Sequence, residues 1–111
     1  MLNFLKVDNI VNENFKSINI NVDSIDSISL YEDGKVDIFL NNSSYIRFRP
    51  SFGELEKILY ESNLIQISDN SYNSLINLYW ISEEYLYFND RNPIKIDSNY
   101  YENIYKHINF I

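Results

Sequence analysis

The chain has 111 residues, and 45% of them are apolar, which suits one folded domain and argues against disorder. Cysteine is absent, so disulfides and thiolate metal sites are excluded. Sixteen acidic residues against nine basic ones leave a net charge of −7, which works against non-specific binding to nucleic acid or anionic lipid.

Residues 1–14 are open to two readings. Leu2, Phe4 and Leu5 suit either a short helix or an edge strand, and Asp8-Asn9 reads as a turn. Lys6 and Asp8 interrupt the apolar start, so the layout of a signal peptide is missing. No later stretch is long enough to span a bilayer, and the expectation is a cytoplasmic protein with no membrane partner. Phe15 to Val22 alternates, with Ile18, Ile20 and Val22 on one side, and is predicted to be a strand.

Ile28 to Arg49 predicts a three-stranded antiparallel meander. A two-residue loop of Asp33-Gly34 would mix polar and apolar side chains on both faces. A three-residue loop of Glu32-Asp33-Gly34 pairs Leu30 with Val36 and Ile28 with Ile38 instead. A one-residue slip turns every side chain over, so the pattern selects the three-residue loop, with Gly34 left-handed. A second loop at Asn42-Ser43-Ser44 would pair Leu40 with Ile46 and Ile38 with Phe48. One face then carries Ile28, Leu30, Val36, Ile38, Leu40, Ile46 and Phe48. The other carries Tyr31, Asp37, Phe39, Tyr45, Arg47 and Arg49.

Pro50 ends the meander, having no donor for a ladder. Ser51-Phe52-Gly53-Glu54 reads as a capping box for a helix with Phe52, Leu55, Ile58 and Leu59 as its core stripe. Asn63 is a left-handed terminator, and residues 65–73 form an irregular link. Leu75 to Ile81 is apolar on both sides and reads as a central strand. Ser82-Glu83-Glu84 turns it into a return strand, Tyr85 to Asn89. Asp90-Arg91-Asn92 turns again into a short edge strand, Pro93 to Ile96. Asn99-x-x-Glu102 opens a last helix with Tyr101, Ile104, Tyr105, Ile108 and Ile111 on one face.

The fold class expected is α+β, mainly antiparallel, with about seven strands in the order β-βββα-βββα and two helices on the sheet or sheets. The two βββα-like halves fall at about 27–64 and 74–111 of a single domain. Residues 27–111 resemble small bacterial domains in which an LYEDGKV-like hairpin precedes an ELEKIL-type helix. These are generic turn and helix signals, and no activity comes with them.

Catalytic and cofactor motifs are absent from this pattern. His107 has no orienting acid or nucleophile beside it and reads as a surface or boundary side chain. Asp33-Gly34-Lys35 matches half of a metal-dependent nuclease signature, but a hairpin tip explains the triplet. Trp80 with Tyr79, Tyr85 and Tyr87 suits either a small-molecule pocket or, better, core packing.

Two groups are candidates for partner binding. Asp23, Asp26, Glu32, Asp33 and Asp37 are the densest acids, fitted either to meet a basic protein groove or to keep a hairpin soluble. Tyr31, Phe39, Tyr45, Arg47 and Arg49 have hot-spot composition, and would otherwise form a cross-strand ladder. The expectation is a non-enzymatic inhibitor of a basic or nucleic-acid-handling protein, such as a nuclease. In type it resembles phage anti-defence proteins of the anti-CRISPR kind. Seventeen asparagines with no alanine fit an AT-rich coding sequence of bacterial or phage character. An immunity protein against a bacterial toxin, a small hydrolase or nucleotide-binding enzyme, and a structural subunit pairing as a homodimer through a free sheet edge are the alternatives.

Overall fold

A computed structural model describes residues 1–89 and 91–111. Asp90, in the predicted Asp90–Asn92 turn, lies outside the described residues. Among the described residues the chain is α+β, with two α-helices packed on three antiparallel sheets of ten strands in all.

The meander forms β3 (Ile25–Leu30), β4 (Val36–Leu40) and β5 (Tyr45–Phe48). Leu30 pairs with Val36 and Ile28 with Ile38, as the alternation requires. The turn closes as a three-residue loop, with Tyr31 N–H donating to Lys35 C=O at 3.0 Å and Gly34 at φ 89°. The next loop differs from expectation. It spans Asn41-Asn42-Ser43, one position earlier, so Ile38 faces Ile46 and Val36 faces Phe48. The Asn42 side chain accepts the Ser44 N–H at 3.0 Å, which makes Asn42 the turn residue and leaves Ser43 left-handed. Moving this loop by one residue shifts the pairing by two, so both faces keep their side chains.

Residues 1–14 resolve as a strand followed by a lateral run. β1 (Phe4–Asp8) pairs with β2 (Ser17–Asn21) in a two-stranded ribbon that joins neither larger sheet. α1 (Glu54–Ser62) follows the meander and starts later than the capping box implies. Gly53, left-handed at φ 81°, occupies the cap position, and no side-chain oxygen caps the helix there. Only the Glu54 half of the box forms, accepting Ser51 N–H at 3.3 Å. Phe52 therefore lies outside the helix and fully exposed, while Leu55, Ile58 and Leu59 face the core. Asn63 ends the helix in the left-handed region, as expected.

Residues 65–73 are not an irregular link. They form a hairpin of β6 (Ile65–Ser68) and β7 (Ser71–Asn73), and β7 pairs with the free edge of β3. The main sheet thus has five strands in the order β5-β4-β3-β7-β6. A second sheet has the order β10-β9-β8, from β8 (Leu78–Ile81), β9 (Tyr85–Phe88) and β10 (Ile94–Lys95). β8 is shorter than predicted and is an edge strand, not a central one. The final helix is also short: α2 is Tyr101–Tyr105, preceded by a 3-10 turn at Ser98–Tyr100 that Asp97, not Asn99, caps. Ile104 is buried, but Ile111 lies beyond the helix and exposed.

Two apolar cores result among the described residues. The first joins Leu5, Val7 and Ile20 of the ribbon, the inner face of the meander and Ile58 of α1. The second joins Ile67, Leu86, Phe88, Ile96 and Ile104. The β6–β7 hairpin touches both, through Tyr72 on the first and Ile67 on the second. No helix among the described residues is long and apolar enough to cross a membrane.

Candidate functional site

The outer face of the meander gathers five of the ten predicted binding residues. Antiparallel pairing sets Asp37 opposite Arg47 and Phe39 opposite Tyr45. Arg47 grips Asp37 with both arms of its guanidinium, Nε to Oδ1 at 2.7 Å and Nη2 to Oδ2 at 2.9 Å. Tyr31 Oη donates to Asp37 Oδ2 at 2.8 Å. The guanidinium also lies 5.3 Å from the Tyr31 ring centroid and 5.7 Å from that of Tyr45. Phe39 and Tyr45 stand 5.9 Å apart, tilted.

The pair is asymmetric. The Asp37 side chain is 2% exposed and that of Arg47 is 36% exposed, so the guanidinium forms a lid over a buried carboxylate. Asp37 is therefore not a surface acid, a correction to the acidic group read from the sequence. Its bond to Arg47 drives the guanidinium further toward the protonated form. Donation to Asp37 likewise pushes the Tyr31 hydroxyl up from its ordinary value.

The backbone under Arg47 is fixed from the side. Residues 9–12 run along the outer edge of β5, with Val11 N–H donating to Arg47 C=O at 2.9 Å and Arg49 N–H to Asn9 C=O at 3.1 Å. Asn12 closes the edge, accepting Arg47 N–H at 2.8 Å and donating to Tyr45 C=O at 3.1 Å. Sequence reasoning missed Asn12, since an asparagine in an ambiguous segment carries no local signal of a partner 35 residues away.

The remaining acids do not converge with this face. Glu32 and Asp33 sit exposed at the hairpin tip. There the Asp33 carboxylate accepts Lys35 N–H at 3.0 Å and meets Lys35 Nζ at 3.3 Å, while Arg49 donates to the Asp33 carbonyl at 3.1 Å. The Lys35 N–H holds the Asp33 carboxyl below its usual range. The nuclease-like Asp33 and Lys35 are thus partners of each other. Asp23 is exposed in a 3-10 turn at the far end of β3. Asp26 occupies a bulge in β3 that re-aims its side chain onto Arg91 at 2.8 Å, so it struts the second sheet against the first. Among the described residues no group of three His, Cys, Asp or Glu side chains is placed to hold a metal ion. His107 is exposed just after α2.

Trp80 departs from the core packing expected of it. It is 66% exposed and Tyr79 72% exposed, both on β8. A bulge between Leu78 and Trp80 breaks the alternation, so neighbouring side chains both reach solvent. Trp80 packs edge-on to Tyr87 at 5.1 Å.

The raised Tyr31 predicts a pH dependence. An unfolded tyrosine ionises near about pH 10. The native hydroxyl keeps its proton to higher pH, so its contribution is complete below that point and is lost as pH rises through the native value. Tyr100, pushed up to about 12 by its bond to Asp69, acts in the same direction and extends the window. Urea unfolding should show stability falling from about pH 10 toward 12, and a Tyr31→Phe, Tyr100→Phe chain should show a shallower fall. Equal slopes would refute the assignment. The chain matches no protein-family model and no curated protein, so its likeness to small bacterial domains stays one of turn and helix signals.

Proposed function

We propose that this chain is a non-enzymatic binding protein that occupies, and so blocks, the surface of a basic partner protein. The observation that carries the reading is the outer face of the meander. Arg47, Tyr31 and Tyr45 are of the residue types that dominate binding energy, Phe39 adds an aromatic of the kind enriched at interfaces, and all four are ordered before any partner arrives. Ordering in advance lowers the entropy cost of association. Glu32 is exposed at the hairpin tip, next to Tyr31 in the chain, and the net charge of −7 attracts a basic surface from a distance.

Proteins that handle nucleic acid carry basic surfaces, so a nuclease or nucleic-acid-binding effector in the cytoplasm is the partner class. An inhibitor of the phage anti-defence type and an immunity protein against a toxin nuclease both use this chemistry. The test is a pull-down from bacterial lysate, with and without phage infection, at rising salt. The expected result is a stoichiometric complex with a basic protein that dissociates as salt rises. Tyr45→Ala should weaken it roughly tenfold or more, as loss of a hot-spot aromatic does. A complex indifferent to salt and to Tyr45→Ala, or turnover of a ligand by the purified chain, would overturn the reading.

A further inference from the structure

We infer that the open edge of β8 is a docking strand for an extended, lysine- or arginine-rich segment of a partner protein, which adds to the second sheet as a fourth strand. The inference rests on the proposed function for its choice of a basic ligand, but not on the meander face.

The edges of the molecule are treated unequally. β5 is covered by residues 9–12. β6 is covered at its carbonyls by Asp97 N–H on Ile67 at 3.2 Å and Asn103 Nδ2 on Gln66 at 3.1 Å. Capped edges of this kind prevent pairing with other chains. β8 has no such cover among the described residues. Its ladder runs to β9, and Leu78 N–H turns back onto Leu75. Ser82 N–H donates to Tyr85 C=O, which makes Ser82 and Tyr85 a hydrogen-bonded pair. Antiparallel pairs alternate, so the N–H and C=O of Ile81, opposite Leu86, point away from β9. Those groups are the main-chain hook that strand addition uses.

The side chains select the ligand. Tyr79 and Trp80 offer aromatic faces that attract ammonium and guanidinium groups. Glu83 and Glu84 are exposed at the end of the strand, with no ion pair among the described residues. A basic segment meets both features. A second copy of this chain would bring another net charge of −7 to the same edge, which opposes self-pairing.

Trp80 is the only tryptophan, so its emission reports on this edge alone. The full-length chain is titrated with a short peptide of alternating Lys and Val, and separately with one of alternating Glu and Val. The Lys peptide should shift Trp80 emission to shorter wavelength and slow hydrogen exchange at the Ile81 amide, and the Glu peptide should do neither. Tyr79→Lys changes a side chain outside both cores and should weaken the Lys peptide by about tenfold or more. Glu83→Gln with Glu84→Gln should flatten the salt dependence. No emission shift, binding without protection of Ile81, or a free chain that is already a dimer with Trp80 shielded would each overturn the inference. If a basic partner binds through a Tyr45→Ala-sensitive contact while Ile81 exchanges freely, the docking strand falls and the proposed function stands. If neither peptide nor basic partner binds, both fall.

Discussion

Arg47→Met should destabilise the chain more than Asp37→Asn does, and the double substitution should recover much of the loss. The reason is the unequal burial of the two partners, 36% exposed for the arginine side chain and 2% for the aspartate. Removing Arg47 strands a carboxylate inside the sheet with only the Tyr31 hydroxyl beside it. A buried charge deprived of its counter-ion costs on the order of 3 kcal/mol. Removing the charge of Asp37 leaves a guanidinium that water can reach, so only the hydrogen bonds are lost, at about 1–2 kcal/mol. Joined groups of this kind are not additive, and the cycle measures their coupling. Urea unfolding at neutral pH decides it. If Arg47→Met costs less than Asp37→Asn, the carboxylate is hydrated, and the face is not ordered in advance of a partner.

The second large effect lies in the other core. Leu86→Ala should cost about 2–5 kcal/mol, since Leu86 is fully buried among Ile67, Phe88, Ile96 and Ile104. The informative part is whether the loss is shared. β6 belongs to the five-stranded sheet yet sends Ile67 into the second core, and Asp26 holds Arg91 across the same seam. Both cores should therefore unfold together. Trp80 fluorescence and far-ultraviolet dichroism should give one midpoint, moved equally by the substitution. Two separated midpoints would show that the β6–β7 hairpin does not couple the sheets.

Local residues determined a good part of this chain. Gly34 and the alternation from Ile28 to Ile38 select the first hairpin, because any other register exposes the isoleucines. Asn63 ends α1 because it tolerates the left-handed region that a helix stop uses. The net charge and the absence of cysteine are properties of composition alone. The outer-face set of Tyr31, Asp37, Phe39, Tyr45 and Arg47 was legible too, since side-chain direction follows from the pleat.

Tertiary structure decided the rest. Residues 65–73 are short and polar, and a strand of three or four residues has little propensity of its own. They become β6 and β7 because β3 presents an unpaired edge and the second core takes Ile67. β8 carries the apolar pattern of a central strand, and only the bulge before Trp80 and the lack of a second neighbour among the described residues make it an exposed edge. Asp37 and Asp33 are the same residue type, four positions apart in one hairpin. One is buried because Arg47 and Tyr31 close over it from across the sheet, and the other stays in water because a turn has nothing above it. Burial is a property of what lies on the neighbouring strand, and it is the pairing of β4 with β5 that sets Arg47 over Asp37 and nothing over Asp33.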